Sequence, residues 1–261
     1  MPTKGLFPQE LKDKPFNNHA EYADCLFACV NARMDACIAN MKPLFMSDEG
    51  AYKNVLYPDI ETAHEFCKRQ LSDFTGTPAL GAGGPGAGGA EAQTPAMPDD
   101  LNELFAEFSG EGAGSEAARP SFDIGADELM AYVEGRARAT DLASVPLPIH
   151  ALSQKLGFAP FSLFCFASAL LSSMQTSYAS VFQIINRNAS LTAPSFESAA
   201  RLYYGDDFGI TAASGDMSLA LEQLEPILDM DVNKAMPFST LLSPDKRMID
   251  FLFGKFPLRP D

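Results

Sequence analysis

Between Lys155 and Arg187 the chain carries no charged residue. A helix formed there has no face that must remain in water, so it belongs inside something. A membrane is one such place. However, the apolar part, Phe158 to Leu171, is shorter than the roughly 20 residues that span hydrocarbon. Ser172, Ser173, Gln175, Thr176 and Ser177 follow it directly. The run therefore predicts a helix at the centre of a protein core, covered on all sides by other elements. Leu156 and Gly157 precede it as a helix stop, and Pro160 suits its first turn. Phe161, Leu163, Phe164, Phe166, Ala167, Leu170 and Leu171 are its expected buried residues.

The elements around it are mainly helical. Asn18 and Glu21 have the spacing of a capping box. After them Tyr22, Leu26, Cys29, Val30, Arg33, Cys37, Ile38 and Met41 form a stripe that Pro43 should end. Asp59 caps a second helix with the stripe Ile60, Ala63, His64, Cys67 and Leu71. Residues 1–74 are thus expected to form an antiparallel helical hairpin. Residues 75–120 change character. They contain G-A-G-G-P-G-A-G-G-A and S-G-E-G-A-G-S-E-A-A-R-P, the composition of flexible linkers. Between these runs, 99–108 reads as a short acidic helix with Leu101, Leu104, Phe105 and Phe108 on one face. An apolar stripe between two tethers has the form of a partner-docking motif.

Residues 121–261 read as a second domain. A helix from Asp123 to Ala139 carries Leu129, Met130, Tyr132, Val133 and Arg136. A short one carries Ile149, Leu152 and Leu156, with His150 at the surface. Tyr178, Val181, Phe182 and Ile185 mark another inward stripe, and Ser195 caps a helix with Phe196, Ala199, Ala200 and Tyr203. The short runs I-L-D-M-D-V and P-F-S-T-L-L suggest a β-hairpin. Ser243, Pro244 and Asp245 start a last helix ended by Gly254. The expected fold is mainly α: a helical hairpin plus a winged-helix-like domain with a small β-hairpin as its wing.

Leu147, Pro148, Leu156, Gly157, Phe158, Pro160, Phe161, Tyr178, Val181, Phe182, Pro194 and Phe196 fall in one ungapped-looking pattern, and L-L-S-P-D-K-R-M-I-D-F-L-F-G closes it. Over about 146–261 this resembles the winged-helix-like region N-terminal to the ATPase module in certain bacterial AAA+ ATPases, some associated with contractile tails or injection systems. The resemblance implies a non-catalytic regulatory or adaptor region that binds protein partners, and the acidic charge balance and cysteine usage suit a cytoplasmic protein. It also implies an ATPase module after Asp261, through which hexamers would form. The chain departs from that pattern at Ser162, where the family has an acidic residue, and at S-S-M-Q-T, where it has Ala-Pro-Glu-Leu-Asp.

Chemistry in the chain itself is sparse. Nothing matches G-x-x-x-x-G-K-[ST], so no ATP binding and no enzyme activity is expected of this segment, and no cofactor. Five cysteines, most in helical patterns, indicate a reducing compartment more than a disulfide framework. Cys25, Cys29, His64 and Cys67 sit on helices expected to pair, so a Cys3His zinc site is conceivable, against the plainer reading that they are core residues. Ser243-Pro244-Asp245-Lys246 has the S-x-x-K spacing of some acyl-enzymes, but it also has the chemistry of a helix start. The net charge of −15, from 19 basic and 34 acidic residues, opposes nucleic acid, which needs clustered Lys and Arg. The helix after Pro194 offers only Arg201 to a DNA groove. The alternatives are a stand-alone winged-helix nucleic-acid-binding protein or a free adaptor. The N-terminus, M-P-T-K-G-L-F-P-Q-E-L-K, lacks the apolar core of a secretory signal.

Overall fold

A computed structural model describes residues 7–46, 58–76, 125–205, 210–232 and 236–253. Met1–Gly76 and Phe122–Asp261 belong to one compact unit; Thr77–Ser121 form the other and lie outside the described residues. The protein is mainly α. Its helices are α1 (His19–Met46), α2 (Ile60–Gly76), α3 (Ala126–Leu142), α4 (Pro148–Leu156), α5 (Pro160–Met174), α6 (Tyr178–Ile185), α7 (Phe196–Tyr204), α8 (Ile210–Leu224) and α9 (Lys246–Leu252). Two short strands, β1 (Leu228–Asp229) and β2 (Ser243–Pro244), pair antiparallel.

The uncharged run becomes α5, and it is central. Every residue from Phe161 to Leu171 is buried. It packs against α1, α3, α6, α7, α8 and β2. Its two buried hydroxyls are both satisfied: Ser168 donates to the Phe164 carbonyl, and Ser162 donates to Gln223 of α8. The Gln223 carbonyl oxygen also accepts from the Ala159 amide. Thus α8 caps the N-terminus of α5, where backbone N–H groups have no intrahelical partner. The loop before α5 turns at Gly157, whose φ of 67° is left-handed. The Phe158 amide then donates back to the Ser153 carbonyl at 2.8 Å, the closing bond of a Schellman stop.

α1 is the second central helix, which the stripe of one hairpin face does not convey. It contacts α2, α3, α4, α5, α6 and α7. Besides the expected stripe, Ala23, Cys25, Phe27, Ala28, Ala32 and Met34 are buried. Residues 1–74 and 121–261 therefore share one core instead of forming two. The signal was present: C-L-F-A-C-V-N-A in α1 is itself uncharged. Polar links fasten α1 to the rest. Tyr178 donates to Asn31 at 2.9 Å, and Arg33 donates through Nε to the Leu202 carbonyl at 2.8 Å. The Phe16 amide, just before α1, donates to Thr140 of α3 at 2.7 Å.

Several local expectations need correction. Pro43 lies inside α1; in a final turn it forfeits a single backbone bond, so the helix continues to Met46. Half of the expected box at the start of α1 forms. Asn18 accepts from the Glu21 amide, but the Glu21 carboxylate turns to the backbone and side chain of Asn17. α8 escaped the sequence reading because Gly215 and Ser214 weaken its helix signal, yet Met217, Ala220 and Leu224 make its buried stripe. The strand pairing joins Leu228 to Pro244 and Asp229 to Ser243. Ser239, in P-F-S-T-L-L, is in a 3-10 turn instead, and Leu241 forms an isolated bridge with Ser195. Ser243 is therefore a strand residue, and Asp245 caps α9 by accepting from the Arg247 amide. Gly254 lies outside the described residues.

Candidate recognition site

The possible zinc ligands separate into two places. Cys25 and Cys29 face α3, where the Cys29 thiol approaches the Leu129 carbonyl at 3.8 Å. His64, on α2, pairs instead with Asp35 of α1, Nε2 to Oδ1 at 3.0 Å. Cys67 lies in the same neighbourhood, near Asp35 and Cys37. The cause is the long overlap of α1 with α2: residues a helical turn or more apart on α1 meet different partners. Among the described residues no group of three or more His, Cys, Asp or Glu side chains is arranged to hold a metal. All five thiols are buried. Burial pushes the Cys25 thiol up to about 12 and raises Cys29, Cys67 and Cys165 as well. They remain thiols at neutral pH, unsuited to nucleophilic attack.

The histidines are structural or half-buried. His150 is 1% exposed, not a surface residue. Its Nε2 lies 3.1 Å from Asp141 at the end of α3, with Gln154 closing the contact. Arg201, the one basic residue of the DNA-reading candidate, also points inward. It donates to the Ile185 carbonyl and pairs with Glu197 at 3.0 Å. Its charge is spent inside the protein, where a phosphate does not reach it. The docking residues Leu101, Leu104, Phe105 and Phe108 lie outside the described residues.

A concave feature that sequence reasoning missed lies between the N-terminal turns of α1, the end of α5 and the end of α9. It is an open groove of about 500 Å³, lined by His19, Ala20, Ala23, Asp24, Phe27, Met174, Leu252 and Phe253. The i, i+3 and i+7 spacing puts Ala20, Ala23 and Phe27 on one face of α1. Ala20 is exposed at the rim, and Ala23 and Phe27 are buried beneath it. Met174 extends from the end of α5 and is 48% exposed. The His19 ring lies against Tyr22 and Phe253, with centroids 6.3 and 5.9 Å away. Burial lowers the His19 pKa, partly offset by the Leu252 backbone. Asp24 stands at the rim with no hydrogen bond or ion pair among the described residues. Burial, and then the neighbouring Glu21, raise its pKa. These residues come from three elements far apart in sequence, so no local motif announces them.

Scanned against protein-family models, curated proteins and solved structures, the chain matches none of them. Among the described residues no helix is long and apolar enough to cross a membrane.

Proposed function

We propose that this chain is a non-catalytic recognition domain, an adaptor that docks a protein partner and, following the sequence resemblance, passes that contact to an AAA+ motor module. The observation that carries this reading is the groove beside α1. It is a concave, mostly apolar surface with an exposed methionine and a free carboxylate at its edge. Such a surface suits an inserted side chain. The described thiols and His64 and His150, by contrast, are committed to packing. The order of helices, a two-stranded pairing and a closing helix supports the winged-helix comparison. α9 would then be the element that transmits a contact, since Leu252 and Phe253 line the groove.

Site-specific photocrosslinking tests the recognition role. Benzoylphenylalanine replaces Met174 in the cells that make the protein, and irradiation should give a discrete adduct that Ala20→Arg abolishes. Absence of any adduct, together with salt-sensitive retention of duplex DNA, would favour the nucleic-acid-binding alternative. The motor assignment is tested separately by the reading frame downstream of Asp261, where a P-loop within about a hundred codons is expected.

A further inference from the structure

Resting on that recognition reading, we infer that the groove takes one large apolar side chain flanked by a lysine or arginine, presented by a short segment of a partner protein. The apolar part of the argument is the lining. Phe27, Leu252 and Phe253 supply a floor and an end wall, and Met174 a flexible lip, a residue type that moulds itself to an inserted group. Ala20, exposed at the rim, lets a partner backbone approach closely, because it does not extend beyond a methyl, while the buried Ala23 forms part of the floor beneath it.

The charged part is Asp24. Its carboxylate is the groove's acidic group, and no described residue answers it. The nearby Glu21 does not share the incoming cation, since Arg136 holds it at 2.6 Å and Asn17 donates two further bonds. A cation beside the seated apolar group would therefore meet Asp24 alone, an exposed carboxylate at the rim. The chain's charge of −15 favours approach by a basic segment and opposes an acidic one. A free aromatic amine would satisfy the same two contacts. The open side of the groove, with Ala20 exposed at its rim, favours a peptide, which continues past the anchor and gains contact there.

The test uses the full chain with 13C-methyl methionine, the Met174 signal being assigned through Met174→Leu. Three blocked dipeptides are titrated: acetyl-Lys-Phe-amide, acetyl-Glu-Phe-amide and acetyl-Lys-Ser-amide. Acetyl-Lys-Phe-amide should shift the Met174 methyl saturably, and the other two should bind more weakly. Asp24→Asn should weaken the Lys-Phe peptide about two- to fivefold, as expected for a partly exposed ion pair, and leave acetyl-Gly-Phe-amide unchanged. Ala20→Arg, a surface substitution, should abolish binding of all of them. Equal binding of the Lys and Glu peptides, or no shift at Met174, overturns the proposal. So does a dimer in sedimentation that Ala20→Arg converts to monomer, because the groove is then filled by a second copy. If the photocrosslink forms but the dipeptides do not discriminate, the recognition role stands and this occupant falls. If neither appears, the recognition role itself falls.

Discussion

Replacing Arg136 by methionine should detach the segment before α1 from α3. The Arg136 side chain is 6% exposed and its Nη2 lies 2.6 Å from Glu21, which is 31% exposed. The same guanidinium donates to the Lys14 and Pro15 carbonyls at 3.1 and 3.4 Å and sits 4.0 Å over the Phe16 ring. Methionine keeps an apolar stem near Phe16 but removes every donor. Breaking a buried ion pair from one side costs about 3–5 kcal/mol. Glu21 recovers part of its hydration and keeps its bonds from Asn17, so the lower end applies, about 3 kcal/mol. In a unit of this size that lowers Tm by roughly 6–12 °C. Urea unfolding of wild type, Arg136→Met, Glu21→Gln and the double variant supplies the energy and the coupling, expected at about 1–2 kcal/mol. pH gives an independent check. Burial alone would raise the Glu21 pKa, but the Asn17 backbone, then Arg136 and the Asn17 side chain, outweigh it and hold it below the ordinary 4.5. The folded value lies below the unfolded one. The stabilisation is therefore complete above the ordinary 4.5 and is lost as pH falls through the lower folded value. The coupling should fade in that window. A loss under about 1 kcal/mol for Arg136→Met, or zero coupling at neutral pH, would refute this account of how the N-terminal segment is held.

Other consequences follow from the same contacts. Burial lowers the His64 pKa from the ordinary 6.5, against the opposing pull of Asp35. Its neutral form is favoured on folding, so this contribution is full above 6.5 and declines as pH falls toward the lower folded value. The urea midpoint of wild type should drop across that range, and His64→Gln should flatten the drop; an unchanged slope would mean His64 does not carry it. Tyr178→Phe leaves the Asn31 carbonyl oxygen without its partner. The expected cost is about 1–3 kcal/mol in thermal unfolding, and a neutral result would show that Asn31 finds another donor. Native protein should react with Ellman's reagent only on the unfolding timescale, because all five thiols are buried. Stoichiometric zinc, or melting that shifts with EDTA, would reinstate Cys25, Cys29, His64 and Cys67 as ligands in a different arrangement.

Much of the helical layout was legible because burial leaves a pattern in the residues that are buried. Gly157 as a helix stop, Ser195 as a cap and the inward stripes of α2, α3 and α6 are each written within a dozen residues. The candidate site was not. Asp24 reads as an ordinary surface acid on α1, and Met174 as the tail of an apolar run. Their meeting with Phe253 depends on packing that no periodicity reports. His150 shows the same limit: its sequence neighbours suit a surface helix, but α1 packs on that helix and brings the Tyr22 ring to 6.1 Å from the imidazole.

The absence of charge between Lys155 and Arg187 was sufficient on its own to place a helix in the interior, since an isolated helix with no polar face is too costly in water. The sequence likewise settled that the protein is mainly α. It did not determine what surrounds that helix. Only the tertiary structure placed α1 beside it as a second centre, merged residues 1–76 and 122–261 into one unit and opened the groove at their junction. The reason is physical. Hydrophobic burial is non-directional, so a sequence announces that a face must be covered, while the choice of cover lies in side-chain shape and in hydrogen bonds between distant residues such as Asn31 and Tyr178.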